Sequence, residues 1–294
     1  MIRWAPMLVA LTLAGCATAP APAPAPAPQA AAAAAQSVPP SMQWLYGSGE
    51  GAATSIQTYH AFRDYVLAAA RSRPQYGAIM AEGATLARPG FVPCGDKPLA
   101  VVLDADETAI QNLGLEYAFA RRGVDYDRDL HQRWQSEGVD QLAPMPGAVT
   151  ALRAIREAGV KVIFNTNRDA QHAANTTAAL NKAGLGPAVH LDTLFLRGDP
   201  PGDRDKDGRR RLIAGRYCVV AMAGDQLGDF SDLFNARALA VLERRRFAAN
   251  APFASLWGNG WFMLSNPVYG PGLRGSLDEV YPPEVRWPDP RETK

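Results

Sequence analysis

The 294 residues are 47% hydrophobic and 20% charged, with a net charge of +1. After Arg3 no charged residue occurs until Glu50, and from there 29 acidic residues are matched by as many basic ones. This balance excludes a disordered chain and a nucleic-acid-polymer binder working through bulk positive charge; the charged body is long enough to bury a full core.

Residues 1–15 read as a secretory signal peptide. Arg3 supplies the positive start, Trp4–Leu13 the apolar run, and Leu13-Ala14-Gly15 a small-residue approach to cleavage. The run is shorter than the roughly 20 residues needed to span a bilayer. Leu13-Ala14-Gly15-Cys16 resembles the bacterial lipobox, which implies lipidation of Cys16. The alternative is a plain signal with an incidental cysteine. Ala17 follows rather than Asp, which favours the outer over the inner membrane. Residues 16–40 would be the anchor and its tether. From 17 to 40 there are 12 Ala and 7 Pro in 24 positions, a composition that disfavours helix and extends the chain.

Alternating elements follow. Helical spacing runs over Ser55–Arg71. Leu99–Leu103 is an apolar strand ending in acids. Gly147–Ala158 reads as a helix, Val160–Phe164 as a second buried strand, and Ala170–Ala183 as a helix closed by Gly184. Thr193–Leu196 is a short strand, Arg209–Ala214 a helix and Tyr217–Ala223 another apolar strand. Asp229–Ala236 is expected to be a helix and Ala238–Leu242 a last strand. Short apolar runs between helices predict an α/β fold, a parallel sheet with helices on both faces. Residues 112–144 interrupt the alternation and form a candidate cap inserted in a domain spanning 41–294.

Polar residues gather where strands end, the edge at which open α/β sheets bind ligands. Asp104 and Asp106 follow the first strand. Gly224-Asp225 ends a later one, with Asp229 four residues on. Carboxylates this close repel one another unless a cation joins them, and an all-oxygen set suits Mg²⁺. Acidic helix N-caps are the alternative for either pair alone. Thr166-Asn167-Arg168 follows the second strand, where hydroxyl and amide donors suit a phosphate oxygen or a helix cap. Lys206 stands before the Arg209 helix. His60, His172 and His190 show no metal-ligand spacing.

Asp104-Ala105-Asp106-Glu107-Thr108, Thr166-Asn167-Arg168, Asp205-Lys206 and Gly224-Asp225-Gln226-Leu227-Gly228-Asp229-Phe230 resemble the four motifs of the haloacid dehalogenase phosphohydrolases. The finer resemblance is to the class C, DDDD-type bacterial lipoprotein acid phosphatases, over roughly residues 43–281. It includes Phe262–Gly270, and Gln226 replaces the usual Asn. The resemblance implies a Rossmann-like sheet with a small, mostly helical cap, and Mg²⁺-dependent hydrolysis of phosphomonoesters, 5′-nucleotides among them. It also implies a cell-envelope location, with the domain in the periplasm or at the cell surface. Asp104 would be the nucleophile and Asp106 the general acid and base. Mg²⁺ would be held by Asp104, the Asp106 backbone carbonyl, Asp225 and, through water, Asp229. Thr108, Thr166, Asn167 and Lys206 would orient and bind the phosphoryl group, and Arg168 would support the site or form a structural ion pair. A substrate base would stack on Tyr269 and a cap residue, His131 or Trp134, with His131 standing where relatives have Trp; helix packing is the alternative for the cap aromatics Tyr117, Tyr126 and Trp134. In this fold the strands near Cys94 and Cys218 are neighbours, so a disulfide would lie at the end away from the site. A buried Cys218 with Cys94 free is the alternative. A non-catalytic binding lipoprotein or a phosphotransferase would use the same pocket. The oligomeric state is not legible.

Overall fold

The computed structural model describes residues 37–202, 205–289 and 291. The signal peptide, Cys16 and most of the tether lie outside the described residues. Among those described, no helix is long and apolar enough to cross a membrane.

The helices are α1 (Pro40–Met42), α2 (Gly49–Ser72), α3 (Leu113–Arg122), α4 (Arg128–Glu137), α5 (Ala148–Glu157), α6 (Ala173–Lys182), α7 (Lys206–Arg216), α8 (Val241–Ala249) and α9 (Leu277–Val280). The strands are β1 (Tyr76–Met80), β2 (Phe91–Pro93), β3 (Leu99–Leu103), β4 (Ile110–Gln111), β5 (Ala143–Pro144), β6 (Lys161–Asp169), β7 (Leu194–Arg197), β8 (Cys218–Gly224) and β9 (Trp261–Met263). Five of them form the expected parallel sheet in the order β7-β6-β3-β8-β9. The alternation of β3 divides its side chains between two cores. Val101 and Leu103 face Phe62 and Val66 of α2 and Leu152 and Ile155 of α5. Ala100 and Val102 face Ile213 of α7, Ile79 of β1 and the aromatic group Phe230, Phe234, Phe253 and Trp261.

Local chemistry shifts several boundaries. Helix α2 starts earlier than the apolar spacing predicts because the Ser48 hydroxyl caps it, accepting the Gly51 N–H at 2.9 Å. Strand β6 continues through Thr166-Asn167-Arg168, since Asp169 still pairs with Arg197 of β7. The expected helix Asp229–Ala236 is instead two 3₁₀ turns, Leu227–Asp229 and Asp232–Asn235. Side-chain caps from Gln226, Asp229 and Ser231 satisfy the backbone locally and stop helical propagation. The expected strand Ala238–Leu242 is not formed. Val241 begins helix α8, and the place beside β8 is taken by β9, whose Trp261 is fully buried and donates Nε1–H to Ala78 O at 2.8 Å. The β1–β2 hairpin is a further element that the apolar pattern did not reveal.

Residues 113–141 carry α3, α4 and a 3₁₀ turn, between the short antiparallel strands β4 and β5. Gln132 and Gln135 of α4 hold this segment against the end of β6 through Asp169.

Cys94 and Cys218 are joined by a disulfide that ties the β2 exit to the first residue of β8, 124 residues apart. In an unfolded chain it closes a long loop. Reduction, or the double Cys94→Ala/Cys218→Ala variant, is therefore expected to lower stability by about 2–4 kcal/mol. Denaturant midpoints with and without reductant check this; no change in the wild type would show that the bridge contributes nothing.

Candidate active site

The C-terminal ends of β3, β6 and β8 surround a cavity of about 520 Å³. Asp104 leaves β3 with its N–H donated to Ala223 O at 3.0 Å, so the two acid-bearing strand ends are locked together. The chain then turns on the Ala105 carbonyl, which accepts from Thr108, Ala109 and Ile110. This turn holds Glu107 at φ +49°, a conformation L-residues rarely adopt.

Asp104, Asp225 and Asp229 converge, with a carboxylate oxygen of each within 4.8 Å of the others. Lys206, the first residue of α7, places Nζ 2.6 Å from both Asp104 and Asp229. Burial pushes the Asp104 carboxyl well above its ordinary value, against the pull of Lys206, and Asp229 and Asp225 push it further. Burial and then Asp229 raise Asp225 to about 7. Lys206 remains protonated because the carboxylates outweigh its desolvation. Three buried acids thus face one ammonium, an excess of negative charge in an all-oxygen donor set. A divalent cation fits this cluster on chemical grounds. The Asp229 approach requires Gly224, since a Cβ there would lie 2.3 Å from Asp229 Cβ.

Asp106 points elsewhere. Arg168 grips its carboxylate with Nε at 2.9 Å and Nη2 at 2.7 Å, and Asn112 donates at 2.8 Å. Burial works against both charges, but the pair outweighs it. Asp106 is held below the ordinary carboxylate value and Arg168 above its own. The Asp106 side chain is therefore not part of the carboxylate cluster, and the acid role expected of it meets a carboxylate held ionised.

Thr108 and Thr166 are both fully buried and engaged by protein groups. Thr108 is fully buried and donates to Asp225 Oδ1 at 3.0 Å, which makes it a support for Asp225 rather than a wall of the cavity. Thr166, also fully buried, accepts the Arg168 N–H. Asn167 and Lys206 do line the cavity. Of the expected stacking residues, Tyr269 and His131 line it, with Tyr126 beside His131 at a ring separation of 5.7 Å. Trp134 does not. Its ring packs against Gly114 and Gly138, and its Nε1–H donates to Asn112 at 2.8 Å, so it orients the amide that holds Asp106.

Several site residues went unread in the sequence. Arg209 braces the end of β6 through Asn165 and Asn167. Arg210 binds the carbonyls of Gly228 and Asp229 and so carries the turn holding Asp229. Asn266 donates to Asp225 at 2.8 Å. Glu107 is sealed behind the site, accepting from Asn112, Tyr46 and Tyr269. The only signal for the arginines was the basic run Arg209-Arg210-Arg211, which by itself reads as a solvated face.

Glu116 of α3 is 5% exposed and lines the same cavity. Burial, then the charge of Asp106, raises it to about 7 from an ordinary 4.5. A raised carboxyl stabilises the fold below its unfolded value and loses that contribution as pH climbs through the folded value. Glu116→Gln is therefore expected to gain stability over the wild type between about pH 4.5 and 7, reaching at most about 3 kcal/mol above that window. Chemical denaturation at pH 5 and pH 8 measures it; an equal difference at both would refute the assignment.

The geometry agrees with the comparisons. The model of the HAD superfamily, subfamily IIIB (acid phosphatase) matches residues 50–272. No curated protein matches the chain. Among solved structures, the class C acid phosphatase from Bacillus anthracis superposes with a TM-score of 0.63 at 21% identity, covering 79% of this chain and 84% of that one. The same enzyme with tungstate bound gives 0.64 at 20% identity, covering 82% and 92%. The structural likeness is one of fold. The family match contains Asp104, Asp106, Lys206, Asp225 and Asp229, and on it the chain belongs to the HAD superfamily, subfamily IIIB, the acid phosphatases, and is a phosphomonoesterase.

Proposed function

We propose that the chain hydrolyses phosphomonoesters in two steps through an aspartyl-phosphate on Asp104, with Mg²⁺ as the preferred ion. The observation that carries this reading is the cluster of Asp104, Asp225 and Asp229 around Lys206 in the wall of the cavity. The cation would be held by Asp104, Asp225 and Asp229 and, when bound, would neutralise phosphate charge that otherwise repels a carboxylate nucleophile. An oxyanion such as the tungstate of the relative supports a phosphate-sized subsite here.

Asp104 attacks phosphorus in line, and its bond to phosphorus forms as the ester oxygen leaves. Lys206 balances charge on the transferred group. The departing oxygen needs a proton, and Asp106 is the carboxyl suited to pass it. Arg168 keeps Asp106 ionised in the free enzyme, so the proton arrives with the substrate. A phosphomonoester monoanion carries one below its second pKa of about 6, which favours an acidic optimum. Asp106 then takes a proton from the water that attacks the aspartyl-phosphate, releasing phosphate and restoring Asp104.

Nucleoside 5′-phosphates are a candidate substrate class, because Tyr269 and the cap residues Tyr126 and His131 present aromatic surface to one cavity. The decisive experiment is release of p-nitrophenol from p-nitrophenyl phosphate by protein starting at Ser37. Mg²⁺-dependent, chelator-sensitive release is expected to be faster at pH 5 than at pH 8; activity indifferent to chelator would reject the metal-assisted reading. A panel of 5′-nucleotides against sugar phosphates tests the substrate class. The lipobox Leu13-Ala14-Gly15-Cys16 supports an outer-membrane anchor. Labelled fatty acid incorporated by the full chain and lost in Cys16→Ser is the expected result.

A further inference from the structure

We propose that Glu116 of α3 is a specificity residue that reads a vicinal diol on the alcohol part of the substrate. The inference rests on the phosphatase reading above and deepens it, naming the substrate feature that the 113–141 segment selects.

Among the described residues, the buried polar side chains lining the catalytic cavity are Asn112, Glu116, Arg168, Lys206, Asp225 and Asp229. All but Glu116 have partners inside the protein. Asn112 and Arg168 hold Asp106, Lys206 bridges Asp104 and Asp229, and Asp225 accepts from Thr108 and Asn266. The Glu116 carboxyl accepts no hydrogen bond and forms no ion pair. It is not sealed either: the side-chain polar atoms both shut off from solvent and without a partner are Thr176 Oγ1 and Arg244 Nη2. Its oxygens are therefore reachable by a small polar group. Asp106, which lines the same cavity, is the neighbouring charge that acts on it.

The position is an apolar one. Leu115 and Phe119, the other buried residues of α3, line the cavity on either side of Glu116 in sequence. A carboxyl there without a partner costs stability that an apolar residue would not. A ligand that supplies the missing hydrogen bonds offsets that cost. The two oxygens of a planar carboxyl match two adjacent hydroxyls. A hydroxyl both donates and accepts, so it meets the carboxyl in either protonation state, whereas an ammonium only donates. An anionic group is repelled by Asp106 and Glu116 together. In a nucleoside 5′-phosphate the diol lies between the phosphate and the base. With the phosphate at Asp104, such a ligand offers its diol to Glu116 and its base to Tyr126 and Tyr269 of the same cavity.

The test compares adenosine 5′-monophosphate with its 2′,3′-dideoxy analogue, which keeps the phosphate and the base. Hydrogen bonds to a buried carboxylate correspond to about a tenfold effect or more. The wild type is expected to prefer the ribonucleotide by at least about that factor in kcat/KM, mainly through KM. Glu116→Leu should bring the ratio of the two to about one. A merely structural role of Glu116 would lower both rates and cancel in the ratio. Glu116→Gln keeps one acceptor oxygen and should give an intermediate ratio, which decides the matter if the leucine variant does not fold. Equal kcat/KM for the two nucleotides in the wild type, or a ratio unchanged in the variants, would overturn the assignment. So would turnover of p-nitrophenyl phosphate but of neither nucleotide, or a preference for phosphoethanolamine over both nucleotides that is lost in Glu116→Leu, which would make Glu116 a cation contact. Failure to turn over any of these esters would defeat the phosphatase reading instead. The diol site would then be judged by equilibrium binding of the two nucleotides to Asp104→Asn. The ribonucleotide is expected to bind about tenfold tighter only while Glu116 is present, and equal binding would overturn the proposal.

Discussion

Replacing Asp104 by asparagine is expected to lower the hydrolysis of p-nitrophenyl phosphate by about four orders of magnitude, without lowering the stability of the metal-free protein. The amide keeps the shape and the turn on Ala105 but offers no carboxylate to attack phosphorus. The stability arm follows from the same charges. Burial and the neighbouring acids push the Asp104 carboxyl well above its ordinary value, against the pull of Lys206. Removing one carboxylate relieves that repulsion, and Lys206 keeps Asp229 as partner. Function and stability thus move in opposite directions, as at other strained sites. Steady-state rates and thermal unfolding in chelator check both arms. Residual activity above about 1% of wild type would show that another group can attack phosphorus.

Lys206→Met should differ in the stability arm, losing both activity and metal-free stability. Lys206 is the ammonium within hydrogen-bond distance of both Asp104 and Asp229, and only 3% of it is exposed. Breaking a buried ion pair leaves uncompensated charge and costs about 3–5 kcal/mol. Activity should fall about a hundredfold or more, since a preorganised charge at the phosphoryl group is removed. Millimolar Mg²⁺ should restore part of the stability, by about 2.7 kcal/mol at a hundredfold excess over its dissociation constant. The variant should gain more from the ion than the wild type does, because its carboxylates have no other counter-charge. Denaturation midpoints with Mg²⁺ and with chelator give the comparison. An equal gain in both proteins would separate the ion from this cluster.

The apolar runs of β3, β6 and β8 are continuous because both faces of a parallel sheet are buried, and their acidic or amide endings stand out against them. Asp104, Asp225 and Asp229 were legible for that reason, and so was Lys206 once the motifs were taken together. The failures have physical causes too. Ala238–Leu242 is as apolar as a short strand, but the position beside β8 belongs to Trp261–Met263, whose indole fills the core on that face. Asp229–Ala236 has helical spacing, but its own side chains satisfy the backbone turn by turn.

Partner choice was beyond the sequence. Thr108 and Trp134 are residue types suited to a substrate, yet their polar atoms face Asp225 and Asn112. Arg168 was open between a support of the site and a structural ion pair, and its partner is Asp106. Arg209 and Arg210 look like surface charge, yet they are fully buried braces. Periodicity and strand endings are local, so the chain alone determined the sheet, its acidic edge and the type of chemistry. Which donor meets which acceptor depends on distances between elements far apart in sequence. Only the tertiary structure decided that Asp106 rests as half of an ion pair, and that Arg209 and Arg210 turn inward to brace the site.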